Sequence, residues 1–114
     1  MKTERFDDDY LNDILNAIET IEDYTKDLTY DEFMQYNMCI QAVLLNIAII
    51  GESAGKISKT IQQKYLEIPF RAIVSMRNRL IHGYYDVDIY RTWLVIQDDL
   101  PILKQQIKKI IDEL

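Results

Sequence analysis

Met38-Cys39-Ile40-Gln41-Ala42-Val43-Leu44-Leu45-Asn46-Ile47-Ala48-Ile49-Ile50-Gly51 is the stretch that decides the fold. Wound as a helix, it places Ile40, Val43, Leu44, Leu45, Ile47, Ile49 and Ile50 on almost every side. A helix apolar nearly all round is normally central, with neighbours on several sides. Residues 36–50 carry no charge at all. The longest apolar stretch, Ala42 to Gly51, is broken by Asn46 and is about half the length that a membrane span needs.

The segments on either side supply those neighbours. A first helix is expected over Glu4–Lys26, where Leu11, Ile14, Leu15, Ile18 and Ile21 recur at spacings of three and four and form one apolar stripe. Asp7, Asp8, Asp9 and Asp13 suit its positive N-terminal end, and the acid run reads as a solvated helix start. Thr29-Tyr30-Asp31-Glu32 has the order of a capping box. It opens a second helix, in one piece or two, that reaches Lys56 and contains the central stretch.

Ser58 caps a short helix ending near Tyr65. Ile68-Pro69 breaks the chain, because a residue before proline avoids helical angles. Pro69 suits the first turn of the next helix, which carries Phe70, Ala72, Ile73, Met76, Leu80 and Ile81 and stops near Gly83. Asp86-Val87-Asp88 starts the last helix, which runs to Glu113 with Tyr90, Trp93, Leu94, Leu100, Leu103, Ile107, Ile110 and Ile111 facing the core. Pro101 kinks or restarts it after Asp98-Asp99. The expected fold is all-α: a single domain over residues 1–114, an antiparallel bundle of four main helices plus one short helix.

Composition agrees with this and removes other classes. The chain has 114 residues, 48% of them apolar, which leaves apolar surface for an oligomer interface. Three Gly and two Pro are too few for collagen-like or low-complexity sequence, and too few for the frequent turns of an all-β fold. One cysteine, Cys39, permits neither an internal disulfide nor a thiolate metal site. A reducing cytoplasmic location fits. The N-terminus is polar and acidic, with no signal peptide expected.

The net charge of −6 is unevenly spread. Residues 1–35 hold eleven acids and three bases, whereas residues 51–91 hold four acids and seven bases. The acidic total argues against strong non-specific nucleic-acid binding. The local excess of bases keeps a phosphate-binding patch open.

That basic region contains the one histidine, in Arg77-Asn78-Arg79-Leu80-Ile81-His82-Gly83-Tyr84-Tyr85. Histidine gives and takes protons near neutrality. Asn78, four residues earlier, shares its helix face and can hydrogen-bond the ring. Arg77, five residues earlier, lies about 140° round a regular helix from His82. One chain therefore does not readily aim both at one phosphate, and a second copy facing the first resolves the difficulty. Tyr84 lies beyond Gly83, where a chain reversal turns the phenol back. From residue types alone, the same residues also read as solvated cations near a helix C-terminus and a packing histidine.

Arg77, four residues, His82, one residue and Tyr84 together resemble the signature of HEPN domains. The run from Ile68-Pro69-Phe70 through this motif to Asp86-Val87-Asp88 resembles the HepT branch. So do Ala42-Val43, Ile49-Ile50-Gly51-Glu52, Trp93 and Asp99-Leu100-Pro101, and the likeness extends over about residues 4–112. It implies a small all-helical toxin that acts as a metal-independent ribonuclease and needs no cofactor. It also implies a homodimer with the motif lining a cleft at the interface, and a MntA-type nucleotidyltransferase antitoxin as partner. That antitoxin silences the toxin by adenylylating the motif tyrosine, which falls on Tyr84. Arg77, Asn78 and His82 are then the catalytic candidates. Arg79, Arg71, Lys56 and Lys59 are candidates for RNA-backbone contacts.

The chain departs from the family pattern at Leu45 and Ala48, where related sequences often carry Arg and Glu, and at Ser53, where they often carry Ala. Two other readings stand beside the nuclease: a non-catalytic module that binds nucleotide or partner protein, and a helical scaffold whose Arg77–Tyr84 segment only docks the transferase.

Overall fold

A computed structural model describes residues 6–80 and 86–114, and these are helical almost throughout. In chain order the elements are α1 (Asp7–Thr25), α2 (Tyr30–Gln35), α3 (Asn37–Lys56), α4 (Lys59–Lys64), α5 (Phe70–Leu80), α6 (Ile89–Leu94), a π-helical segment (Val95–Asp99) and α7 (Leu100–Glu113). The all-α bundle is as expected, with one refinement. The second helix is two pieces, the short α2 and the long α3.

The central stretch is α3. It packs against α1, α2 and α5, while α1 also packs against α7. By length and composition α3 could cross a membrane, with 20 residues and a mean hydropathy of 1.5 in its most apolar part. In the bundle those apolar side chains serve the core: Ile40, Val43, Ile47 and Ile50 are buried against Leu11, Ile14, Ile18 and Ile21 of α1 in one cluster. The apolar surround is not fully used, because Leu45 stays 64% exposed and Met38 and Ile49 also face outward.

The start signals work as written. Thr29 Oγ accepts from the Glu32 amide at 3.2 Å, and the Thr29 amide donates to Glu32 at 2.9 Å. The Thr29 backbone amide, with help from its hydroxyl, holds the Glu32 carboxyl below its ordinary range. The Ser58 hydroxyl accepts from the Ile61 amide at the head of α4. Pro69 differs slightly: it lies just before α5, where its carbonyl accepts from the Ile73 amide at 3.0 Å.

Two further expectations are corrected. Asp7 is not a solvated charge, because its carboxylate accepts from the Ser58 amide at 2.8 Å and from the Ser58 hydroxyl. This ties the start of α1 to the start of α4. Tyr90 and Leu94 do not face the core; Tyr90 is 58% exposed. The cause is the π-helical segment. Proline lacks an N–H, and its ring collides with the carbonyl one turn back. The chain accommodates Pro101 by widening the turn before it, so the Leu100 amide reaches the Val95 carbonyl. The wide turn shifts the helix phase. Val95 and Ile96 become buried, whereas Tyr90 and Leu94 stand outward. Cys39 is a buried thiol, its Sγ 3.7 Å from the Tyr24 carbonyl, and burial pushes its pKa up.

Candidate active site on helix α5

Helix α5 buries Phe70, Ile73, Met76 and Leu80 and leaves every cation it carries in solvent. The spacing of those four apolar residues explains this, because a stripe at intervals of three and four fixes one face inward. Arg71 and Asn78, two turns apart, share the outward side. Arg77 and Arg79 lie in the last described turn, where cations suit the helix dipole.

Arg77 is held at both ends. Its stem lies on α3 at Gly51: a Cβ added to that glycine would stand 3.3 Å from Arg77 Cβ and 3.9 Å from its Cδ. At the head, Arg77 Nη1 donates to Asn78 Oδ1 at 3.1 Å. The Asn78 side-chain oxygen thus accepts from its neighbour, and its NH2 group remains as a donor. Together the two side chains present a cluster of N–H donors at the exposed end of α5. Such a cluster suits the oxygens of a phosphate.

His82 and Tyr84 lie outside the described residues. The chain on either side of them is closed at its neck, because the Asp88 amide donates to the Leu80 carbonyl at 3.1 Å. Asp88 also starts α6, accepting from the Arg91 amide at 3.0 Å.

The four candidate backbone contacts differ in their surroundings. Arg71 lies on the outward side with Asn78. Arg79 faces away from Arg77, into a groove of about 770 Å³ between α5 and the α6–α7 limb, which also holds Tyr90 and Arg91. Lys56 faces α1: it pairs with Glu52 at 3.4 Å and lies 5.8 Å from the Tyr10 ring centroid. Lys59 is exposed at the first turn of α4. Of the departures from the family pattern, Leu45 is exposed and Ser53 is buried. Among the described residues, no three His, Cys, Asp or Glu side chains gather as metal ligands.

The seat at Gly51 was not anticipated from the sequence. Its signal was there, in two glycines four apart inside an apolar helix, which mark a close approach of a neighbour.

Comparison with known proteins gives this geometry its family. The model of the HepT-like ribonucleases matches residues 14–110. The chain is 44% identical over 105 residues to a gamma-glutamylcyclotransferase and candidate RNase of Methanocaldococcus jannaschii; the match covers 92% of this chain and 47% of that longer protein. It is 38% identical to a candidate RNase of the same organism, covering 92% of this chain and 90% of the relative. It is 36% identical over 102 residues to a probable ribonuclease HepT of Thermococcus cleftensis, covering 90% and 93%. No solved structure matches the chain significantly. With nearly its whole bundle inside that match, the chain belongs to the HepT-like (HEPN) ribonuclease family.

Proposed function

We propose that this chain is the toxin of a type VII toxin–antitoxin pair, an endoribonuclease that cuts tRNA or mRNA without a metal ion. The observation that carries the reading is the family match across residues 14–110, with Arg77 of the Arg77–His82–Tyr84 motif presented in solvent beside Asn78. In the reaction, a ribose 2′-OH attacks the adjacent phosphorus and the bond to the next 5′-oxygen breaks. His82 takes the proton from the 2′-OH or gives one to the departing oxygen. Arg77 faces the charge growing on the phosphoryl oxygens, an electrostatic contribution that is often the largest in such steps. Asn78 orients Arg77 and offers its NH2 group to the phosphate.

The site is completed by a second copy. The five-residue spacing sets Arg77 and His82 about 140° apart on a regular helix, and exposed Leu45, Ile49 and Val74 leave apolar surface on α3 and α5 for a homodimer. Control falls on Tyr84. Adenylylation there by a MntA-type nucleotidyltransferase adds bulk and a phosphate charge near Arg77, which repels an incoming RNA phosphate.

The test is cleavage of a tRNA pool by the purified protein in EDTA. It compares wild type, His82→Ala, and wild type co-expressed with the transferase and weighed for adenylate on Tyr84. Cleavage is expected from the first alone. Equal cleavage by wild type and His82→Ala would remove the histidine from the mechanism. Full activity of protein carrying adenylate on Tyr84 would remove the regulation.

A further inference from the structure

We infer that Gly51, on α3, is the positioning residue that fixes Arg77 for the reaction; the inference rests on Arg77 acting at the phosphate. Glycine is the least favourable residue in a helix interior after proline. Gly51 nonetheless lies inside α3, buried and in ordinary helical conformation. Backbone freedom therefore does not explain it, whereas space does.

A methyl group at Gly51 would stand 3.3 Å from Arg77 Cβ and 3.8 Å from the Ile73 carbonyl oxygen. The first contact is tighter than ordinary packing. Its partner is a Cβ fixed to the backbone of α5, not the free end of a flexible chain. Alanine there obliges α5 to move by a few tenths of an ångström or Arg77 to leave its rotamer. Either change is magnified along the arginine side chain to the guanidinium. Gly55, one turn further on, provides the contrast: a methyl group there would meet Val74 Cγ2 at 3.6 Å, an ordinary van der Waals distance. The two glycines thus differ in what they protect, and only Gly51 touches the motif.

The consequence is catalytic and only weakly structural. Misplacing a charge-stabilising group by about 1 Å can cost on the order of a hundredfold in rate. It leaves ground-state binding little changed when the group acts mainly on the transition state. Alanine also restores helix propensity, so the fold should tolerate it.

The experiment measures kcat, KM and Tm for RNA cleavage by wild type, Gly51→Ala, Gly55→Ala and Arg77→Lys. Gly51→Ala is expected to lower kcat by roughly tenfold to a hundredfold, with KM within about threefold of wild type. Its Tm should stay within about 3 °C, and Gly55→Ala should keep wild-type kcat. Wild-type kcat in Gly51→Ala would overturn the inference. So would a loss that tracks Tm and appears equally in Gly55→Ala, or a Gly51→Ala chain that does not fold, since the glycine would then be a packing requirement. If Arg77→Lys cleaves as well as wild type, the reading of Arg77 itself fails. If Arg77→Lys is impaired and Gly51→Ala is not, only the role of Gly51 fails.

Discussion

Arg77 and Asn78 are adjacent in sequence, and residues one apart on a helix do not face each other from the same side. Their 3.1 Å contact is made by the long arginine reaching across to the short amide. The sequence suggested Asn78 as a partner for His82. Its oxygen accepts from Arg77, which makes it a brace for the guanidinium. Exposed hydrogen bonds of this kind contribute on the order of 1 kcal/mol, so Asn78→Ala is expected to lower kcat by roughly fivefold. Asn78→Asp keeps the acceptor but sets a negative charge where a phosphate must come. Its expected signature is different: a raised KM that worsens as salt is lowered. Steady-state kinetics at two ionic strengths separate the two variants, and identical kcat and KM in Asn78→Ala would show that Arg77 needs no brace.

At the scale of elements, the parts legible in the sequence are those written locally. The capping box at Thr29, the cap at Ser58 and the apolar stripes of α1 and α5 all depend on residues within a turn or two of one another. The elements read incompletely depend on distant partners or on a choice among responses. Pro101 announced a disturbance, but widening the preceding turn, kinking and restarting all relieve the same clash. That ambiguity misplaced Tyr90 and Leu94. Likewise His82 and Tyr84 stood out by type and by resemblance, whereas the seat of Arg77 on α3 required the two helices to be brought together.

Element α2 illustrates the local case. Six residues cannot hold a helix alone. Its cap and the burial of Phe33, whose ring lies 5.2 Å from that of Trp93, hold it in place. Thr29→Ala removes the hydroxyl that accepts from Glu32 and should cost about 1 kcal/mol in denaturant unfolding. The Trp93 emission should shift as its neighbour loosens. A loss below about 0.3 kcal/mol would mean that the Phe33 contact alone sets α2.

For the whole molecule, the two ends of α7 are fastened by different chemistry, and both fastenings fail in the same direction of pH. Near its start, Lys104 donates to Glu22 of α1 at 2.8 Å, and this hydrogen bond raises the lysine pKa. At its end, the Tyr65 hydroxyl at the close of α4 donates to Glu113, and that bond, with burial and the nearby carboxylates, raises the tyrosine from 10.0 to about 12. In each case the folded state holds its proton more tightly than the unfolded chain does. The stabilisation is therefore complete below the unfolded pKa and declines as pH rises towards the folded one. For Tyr65 the window runs from pH 10 to about pH 12. There the unfolded chain has released the phenolic proton and the folded chain has not. Melting temperature should fall with rising pH across this window. Tyr65→Phe, which has no proton to release, should make that fall shallower while lowering stability at neutral pH through the lost bond to Glu113. Part of the residual slope in the variant belongs to Lys104, and Glu22→Gln should reduce it further. Superimposable pH–Tm curves for wild type and Tyr65→Phe between pH 10 and 12 would mean that the α4–α7 tie does not contribute to holding the bundle closed.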